Sequence, residues 1–206
     1  MLINKDQRGF TLIELIVAIA ITGLITGGIT TAIFQVFSVN ALSNNHMLAL
    51  RQVQNAGYWI SHDAQMAQNI TLGDNPDTPP PADPPNPPET EILTLVWVGW
   101  GRIWKQGNDN WQSIDTYEVR YTYDNNKLWR YERITTNTYK NGLPQPPEYN
   151  PPDGSWNTSL IAQYITDIPV SKTGNKLTVI LTARVGGQYW PAEETRTYEI
   201  TPRPST

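Results

Sequence analysis

From Phe10 to Phe37 the chain contains a single ionisable side chain, Glu14, and that run constrains everything else it can fold into. About 20 apolar residues span a bilayer as a helix, so the run is long enough to cross. Before it stands a short polar leader, Met1 to Gly9, carrying Lys5 and Arg8 against Asp6. Cationic residues on that side keep the N-terminus cytoplasmic and send the rest outward. A cleavable secretory signal has a shorter apolar core and a small-residue cleavage site behind it, and here the helical pattern continues instead. The cleavage point this arrangement suggests lies in front of the apolar run, at Gly9-Phe10. Glu14 is the second oddity, because an unpaired acid at membrane depth costs about 2.5–3.5 kcal/mol even on lenient insertion scales.

Gly9-Phe10-Thr11-Leu12-Ile13-Glu14-Leu15, followed by the apolar run, resembles the processing motif of type IV pilins and type II secretion pseudopilins. The resemblance implies that a membrane-embedded prepilin peptidase cuts between Gly9 and Phe10 and N-methylates Phe10. It places Glu14 at the fifth mature position, where the family carries its assembly glutamate. One turn of helix separates Glu14 from Phe10, so in a filament the carboxylate is expected to pair with the Phe10 ammonium of a neighbouring subunit. Major pilins often carry a proline within the apolar half of the helix; here that region reads Gly27-Gly28-Ile29-Thr30-Thr31. Glycines 23, 27 and 28 soften a helix. Gly23 and Gly27 form a G-x-x-x-G pair that permits close helix approach, or they are ordinary membrane glycines.

Polarity rises from Ser38, yet no breaker appears before Gly73-Asp74-Asn75-Pro76. Ala49, Val53, Ala56, Ile60, Ala64 and Ala67 recur at spacings of three and four, which is one apolar face of a helix. The pattern predicts a helix from about Thr11 to about Ile70, roughly 90 Å long, with a membrane or filament-core segment over 10–37 and an amphipathic continuation over 38–72. Tyr58 to Ala67 is similar to the helix end of the J-type pseudopilin and W-type minor pilin group. His62 reads as solvated or paired with Asp63, and His46 is too far along the chain to share a metal with it.

Pro76 to Pro88 holds eight prolines in thirteen residues, which excludes helix and central strand. The stretch 73–91 therefore reads as an extended loop. Beyond it, 92–206 reads as an antiparallel β domain. Ile92–Val98 is a strand. Tyr117, Val119, Tyr121 and Tyr123 alternate with Glu118, Arg120 and Thr122, and Asp124-Asn125-Asn126 turns the chain into Lys127–Ile134, giving a hairpin. Leu143–Asp153 is a second proline-rich insertion, Ser159–Tyr164 could form one helical turn, Lys176–Val185 is a central strand, and Arg196–Thr201 closes the sheet. The fold class is α+β, type IV pilin-like: a long N-terminal α-helix packed on a C-terminal antiparallel β-sheet.

The formal charge of −4 gives no support to nucleic-acid binding, and with no cysteine there are neither disulfides nor thiolate metal sites. No G-x-S-x-G, P-loop or metal-ligand cluster is present, so no catalytic residue, metal or cofactor is expected. Trp97, Trp100, Trp104 and Trp111 gather around a glycine-bearing loop. They either fill the core or stand exposed as a surface for sugar or protein, with Trp100 and Trp104 as the candidates. The expectation is a minor pilin or minor pseudopilin of the inner membrane. Its partners would be prepilin peptidase and other pilin subunits, and its place the tip or initiation complex of a filament. The alternative is a filament-tip adhesin binding carbohydrate or DNA through exposed aromatics.

Overall fold

The computed structural model describes residues 10–73, 90–99, 101–145, 156–188 and 190–203. The chain forms two compact units, Met1–Asn44 and Asn45–Thr206, and a single helix, α1 (Leu12–Met66), contributes to both. Within the first unit the described residues are helix from Leu12 onward, and the large apolar side chains from Phe10 to Phe37 stand exposed. In a hydrocarbon medium only a backbone that bonds to itself is tolerated, and an uninterrupted helix meets that demand.

In the second unit the predicted stripe is the helix's buried face. Ala49, Val53, Ala56, Ala64 and Ala67 are fully buried and Ile60 nearly so. They join a core with Leu93, Leu95, Val119, Tyr121, Leu128, Leu177, Val179 and Leu181 from the strands. The helix ends four residues earlier than its spacing predicts. The Ala67 amide is shared between the Asp63 and Ala64 carbonyls at 3.1 and 3.3 Å, and the Gln68 amide turns to the Val96 carbonyl at 3.0 Å. Residues Asn69–Leu72 are therefore a strand, β1, antiparallel to β2 (Thr90–Val98). The apolar spacing continues past the boundary because Ile70, three residues after Ala67, is buried from the strand.

The predicted hairpin is longer than its alternating core: β4 is Asp109–Asp124 and β5 is Lys127–Lys140. With β3 (Arg102–Gln106), β6 (Leu143–Pro144) and β7 (Asn157–Gln163) they complete a seven-stranded antiparallel sheet ordered β1-β2-β4-β5-β6, with β3 on β4 and β7 on β5. A second sheet holds β8 (Ile165–Asp167), β9 (Val170–Thr173), β10 (Lys176–Val185) and β11 (Ala192–Ile200), with β10 paired to the other three. The β domain thus uses two sheets where the sequence suggested one. The helical turn expected at Ser159–Tyr164 is also overturned, since β7 pairs with Lys127–Glu132 of β5. The proline-rich stretch and most of the second insertion fall outside the described residues.

Four two-residue turns fix the registers. Asn125-Asn126 and Asn141-Gly142 both have positive φ at each position, the requirement of a type I′ turn. Gly107 and Gly174 have positive φ and their following asparagines do not, which is type II′. On β4 the odd-numbered residues face the helix: Tyr121 and Val119 are fully buried there.

Candidate functional site

The first candidate is the start of the helix. Thr11 precedes α1 and Glu14 lies in its first turn. The Glu14 carboxylate accepts from the Thr11 amide at 2.9 Å and from the Thr11 hydroxyl at 2.8 Å, while the Glu14 amide donates to the Thr11 hydroxyl oxygen at 3.3 Å. This reciprocal arrangement is a capping box, in which a threonine cap and an acid three residues on satisfy each other's otherwise orphaned donors. The sequence suggests for Glu14 only the Phe10 ammonium of a neighbouring subunit; Thr11 supplies a partner within the same chain. Phe10 is 92% exposed. Gly9, the other half of the expected cleavage point, lies outside the described residues.

Along the same helix the polar side chains are neutralised locally. The hydroxyls of Thr22, Thr26 and Thr30 each donate to the carbonyl four residues back at 2.8 Å, and Thr31 does so to Gly27 at 2.9 Å. No free hydroxyl is therefore presented to an apolar medium by these four residues. Gly23, Gly27 and Gly28 have nothing of the chain within 4 Å of where a Cβ would stand. Packing inside the monomer gives no reason for glycine at these positions.

The second unit contains a polar cluster centred on Asp63, which the sequence names only as a partner for His62. Asp63 is 1% exposed. It accepts from the Tyr121 hydroxyl at 2.6 Å and from Arg130 Nε at 2.7 Å, with Arg130 Nη2 at 3.3 Å. Arg130 also donates to Glu132 at 2.8 Å and lies 5.1 Å from the Trp59 ring centroid. Burial would lower the Arg130 pKa; its hydrogen bonds to Asp63 and Glu132 and the Asp63 charge outweigh this and raise it. Burial also pushes the Tyr121 hydroxyl well above its ordinary 10, helped by the Asp63 charge. His62 sits beside the cluster, half exposed, with Nδ1 3.3 Å from Asp63 Oδ1. The expected His62–Asp63 proximity is present, but the acid's principal partners come from β4 and β5. The clue available in sequence was an aspartate on the apolar side of the helix, adjacent to Ile60 and Ala64.

On the opposite face of the large sheet, Glu118 accepts from Arg120 Nε at 2.7 Å and Arg133 Nη2 at 2.7 Å. The Trp156 ring lies against both guanidinium groups, 5.0 Å from Arg120 and 4.7 Å from Arg133. Burial tends to raise the Glu118 pKa, but the hydrogen bonds and charges of Arg133 and Arg120 hold it below 4.5.

The tryptophans divide. Trp97 is in the core, stacked on Tyr117 at 5.5 Å between centroids. Trp111 carries Lys140 5.5 Å from its ring centroid. Trp104 is placed on β3, in register with Trp111 of β4, so the presumed loop around these residues is a hairpin. The Trp104 side chain and the whole of Trp100 lie outside the described residues. Among the described residues no group of three or more histidine, cysteine or acidic side chains could hold a metal ion.

Compared with known families, residues 4–30 match the prokaryotic N-terminal methylation motif. The match supports the type IV pilin and pseudopilin family, and the long helix packed on antiparallel sheets is type IV pilin-like in architecture. No curated protein and no solved structure matches the chain.

Proposed function

We propose that the chain is a minor pilin or minor pseudopilin, a non-catalytic subunit of a type IV pilus or type II secretion pseudopilus. The observation that carries this is the methylation motif over residues 4–30, running directly into a helix whose large apolar side chains stand exposed from Leu12 to Phe37. In this reading the motif directs prepilin peptidase to the Gly9-Phe10 bond and methylation to Phe10. The exposed helix rests in the inner membrane first, with the β domain outside the cytoplasm, and later packs among the helices of other subunits. The open space beside Gly23 and Gly27 suits close approach of a neighbouring helix. Glu14, satisfied by Thr11 in the free chain, would exchange part of that bonding for the Phe10 ammonium of an adjacent subunit.

Within the family, the helix end at Tyr58–Ala67 and the strand order favour the J-type and W-type group. Two proline-rich insertions would crowd a densely repeated lattice, which favours a low-copy position at the tip or initiation complex. Intact-mass and N-terminal analysis of the protein from its native host tests the reading. The expected product begins at Phe10 and carries one methyl group; a chain that retains Met1 unprocessed overturns it. Deletion of the gene should reduce filament number, and unchanged filaments and function would refute the initiator position.

A further inference from the structure

Among the described residues the strand β3 leaves its outer edge open, whereas side chains reach the β7 and β1 edges of the same sheet. The edge strand β7 is closed by the helix: Asn55 donates to the Ile161 carbonyl at 2.6 Å, and Gln52 accepts from the Gln163 amide at 2.7 Å. Lys172 reaches the Ile70 carbonyl of β1 at 3.4 Å. Gln68 accepts from the Val98 amide at 3.2 Å, closing the end of β2. Past that point, β3 pairs with β4 on one side and with no strand on the other among the described residues.

The turn geometry says which groups point outward. Gln106 and Asp109 close a two-residue type II′ turn, so they form a hydrogen-bonded pair, and pairs alternate from there. Trp104–Trp111 and Arg102–Ser113 are then bonded pairs, whereas Ile103–Gln112 and Lys105–Asn110 are not. The alternation agrees with Asn110, whose amide and carbonyl both bond toward Asn141, away from β3. The amides and carbonyls of Ile103 and Lys105 therefore face away from the sheet, ready to pair with another strand. Ile103 is 77% exposed, and Arg102 and Lys105 are exposed on either side of it.

We propose that the outer edge of β3 is a docking site for an extended acidic segment of another protein, which adds to the seven-stranded sheet as a further antiparallel strand. Main-chain bonds would come from Ile103 and Lys105, and side-chain selection from their neighbours. Running antiparallel, the incoming strand needs an acid opposite Lys105, an apolar residue opposite Ile103 two positions later, and an acid opposite Arg102 next to it. A second copy does not meet this: two β3 edges would oppose cations, and β11 carries Arg196 where an acid is needed after its Glu193. The inference stands apart from the pilin reading and concerns only the β domain's surface.

The test uses the full chain in detergent micelles and a fluorescent peptide containing Glu-Thr-Val-Glu. Ile103→Pro removes the outward amide without touching the β4 ladder, and circular dichroism checks that it folds. It should weaken peptide binding by about tenfold or more. R102E/K105E should abolish binding of this peptide and favour its lysine counterpart. Peptide N-methylated on the pairing amides should not bind, whatever the behaviour of the proline variant. Three results would overturn the proposal: no binding of the acidic peptide, equal binding of the N-methylated one, or self-association of the chain that Ile103→Pro abolishes.

Discussion

Asp63 shows how one side chain joins the helix to the sheet. It is a buried acid with two donors, Tyr121 and Arg130, the second of which it shares with Glu132. Removing one member of a buried ion pair leaves the other charge desolvated, at a cost of about 3–5 kcal/mol. Asp63→Ala should therefore destabilise the β domain by that order, read as a shift in the denaturation midpoint of the full chain in detergent. Asp63→Asn, which keeps an acceptor for Tyr121, should cost less. A second residue-scale prediction concerns Glu118. Its folded pKa lies below 4.5, so its contribution is present above the unfolded value and is lost as pH falls through the folded one. Glu118→Gln should flatten the fall in stability as pH drops below 4.5. An acid limb identical to the wild type would show that Arg120 and Arg133 do not act through this carboxylate. Neither acid's role was legible in sequence: the partners of Asp63 arrive from β4 and β5, and Glu118 has Arg120 two residues on but meets Arg133 only through the pairing of β4 with β5.

Elements were legible where their signal is local. The stripe from Ala49 to Ala67 and the alternation of Tyr117 to Tyr123 depend on neighbours along the chain, and both appear on the faces they imply. The boundary at Met66 and the strand β7 depend on pairing with β2 and β5, so a helical spacing concealed the first and an apolar Leu160-Ile161-Ala162 the second. Gly57 belongs between these cases. It falls within the stretch the stripe spans, next to Ala56. In the structure a Cβ there would stand 2.0 Å from Cζ of Tyr198, whose hydroxyl donates to the Val53 carbonyl at 3.1 Å. The glycine makes room for a tyrosine from β11 against the helix. Gly57→Ala should cost about 1–3 kcal/mol through overpacking, measured by denaturant unfolding. Adding Tyr198→Val should recover part of that loss; additive losses in the double variant would mean the two residues do not compete for the same space.

At the scale of the whole molecule the question is what Glu14 would do in the proposed passage from a bilayer to a filament. Two roles now compete for it: helix cap through Thr11, and charge for a neighbouring ammonium. The sequence pointed to the residue, but only the geometry with Thr11 separates the roles. Glutamine serves in a capping box almost as well as glutamate but carries no charge, whereas Thr11→Ala removes the cap and keeps the acid. If intermolecular pairing governs assembly, Glu14→Gln should be processed at Gly9-Phe10 yet fail to enter filaments, as Glu14→Ala should, while Thr11→Ala assembles at a reduced rate. If the cap governs it, Glu14→Gln should assemble as the wild type does and Thr11→Ala should fail. Sheared-filament fractions probed for this subunit, with membrane levels and N-terminal processing measured alongside, distinguish the two. Processed but unincorporated Glu14→Gln would assign the charge to the step at which the subunit leaves the membrane, because the helix itself would still be capped.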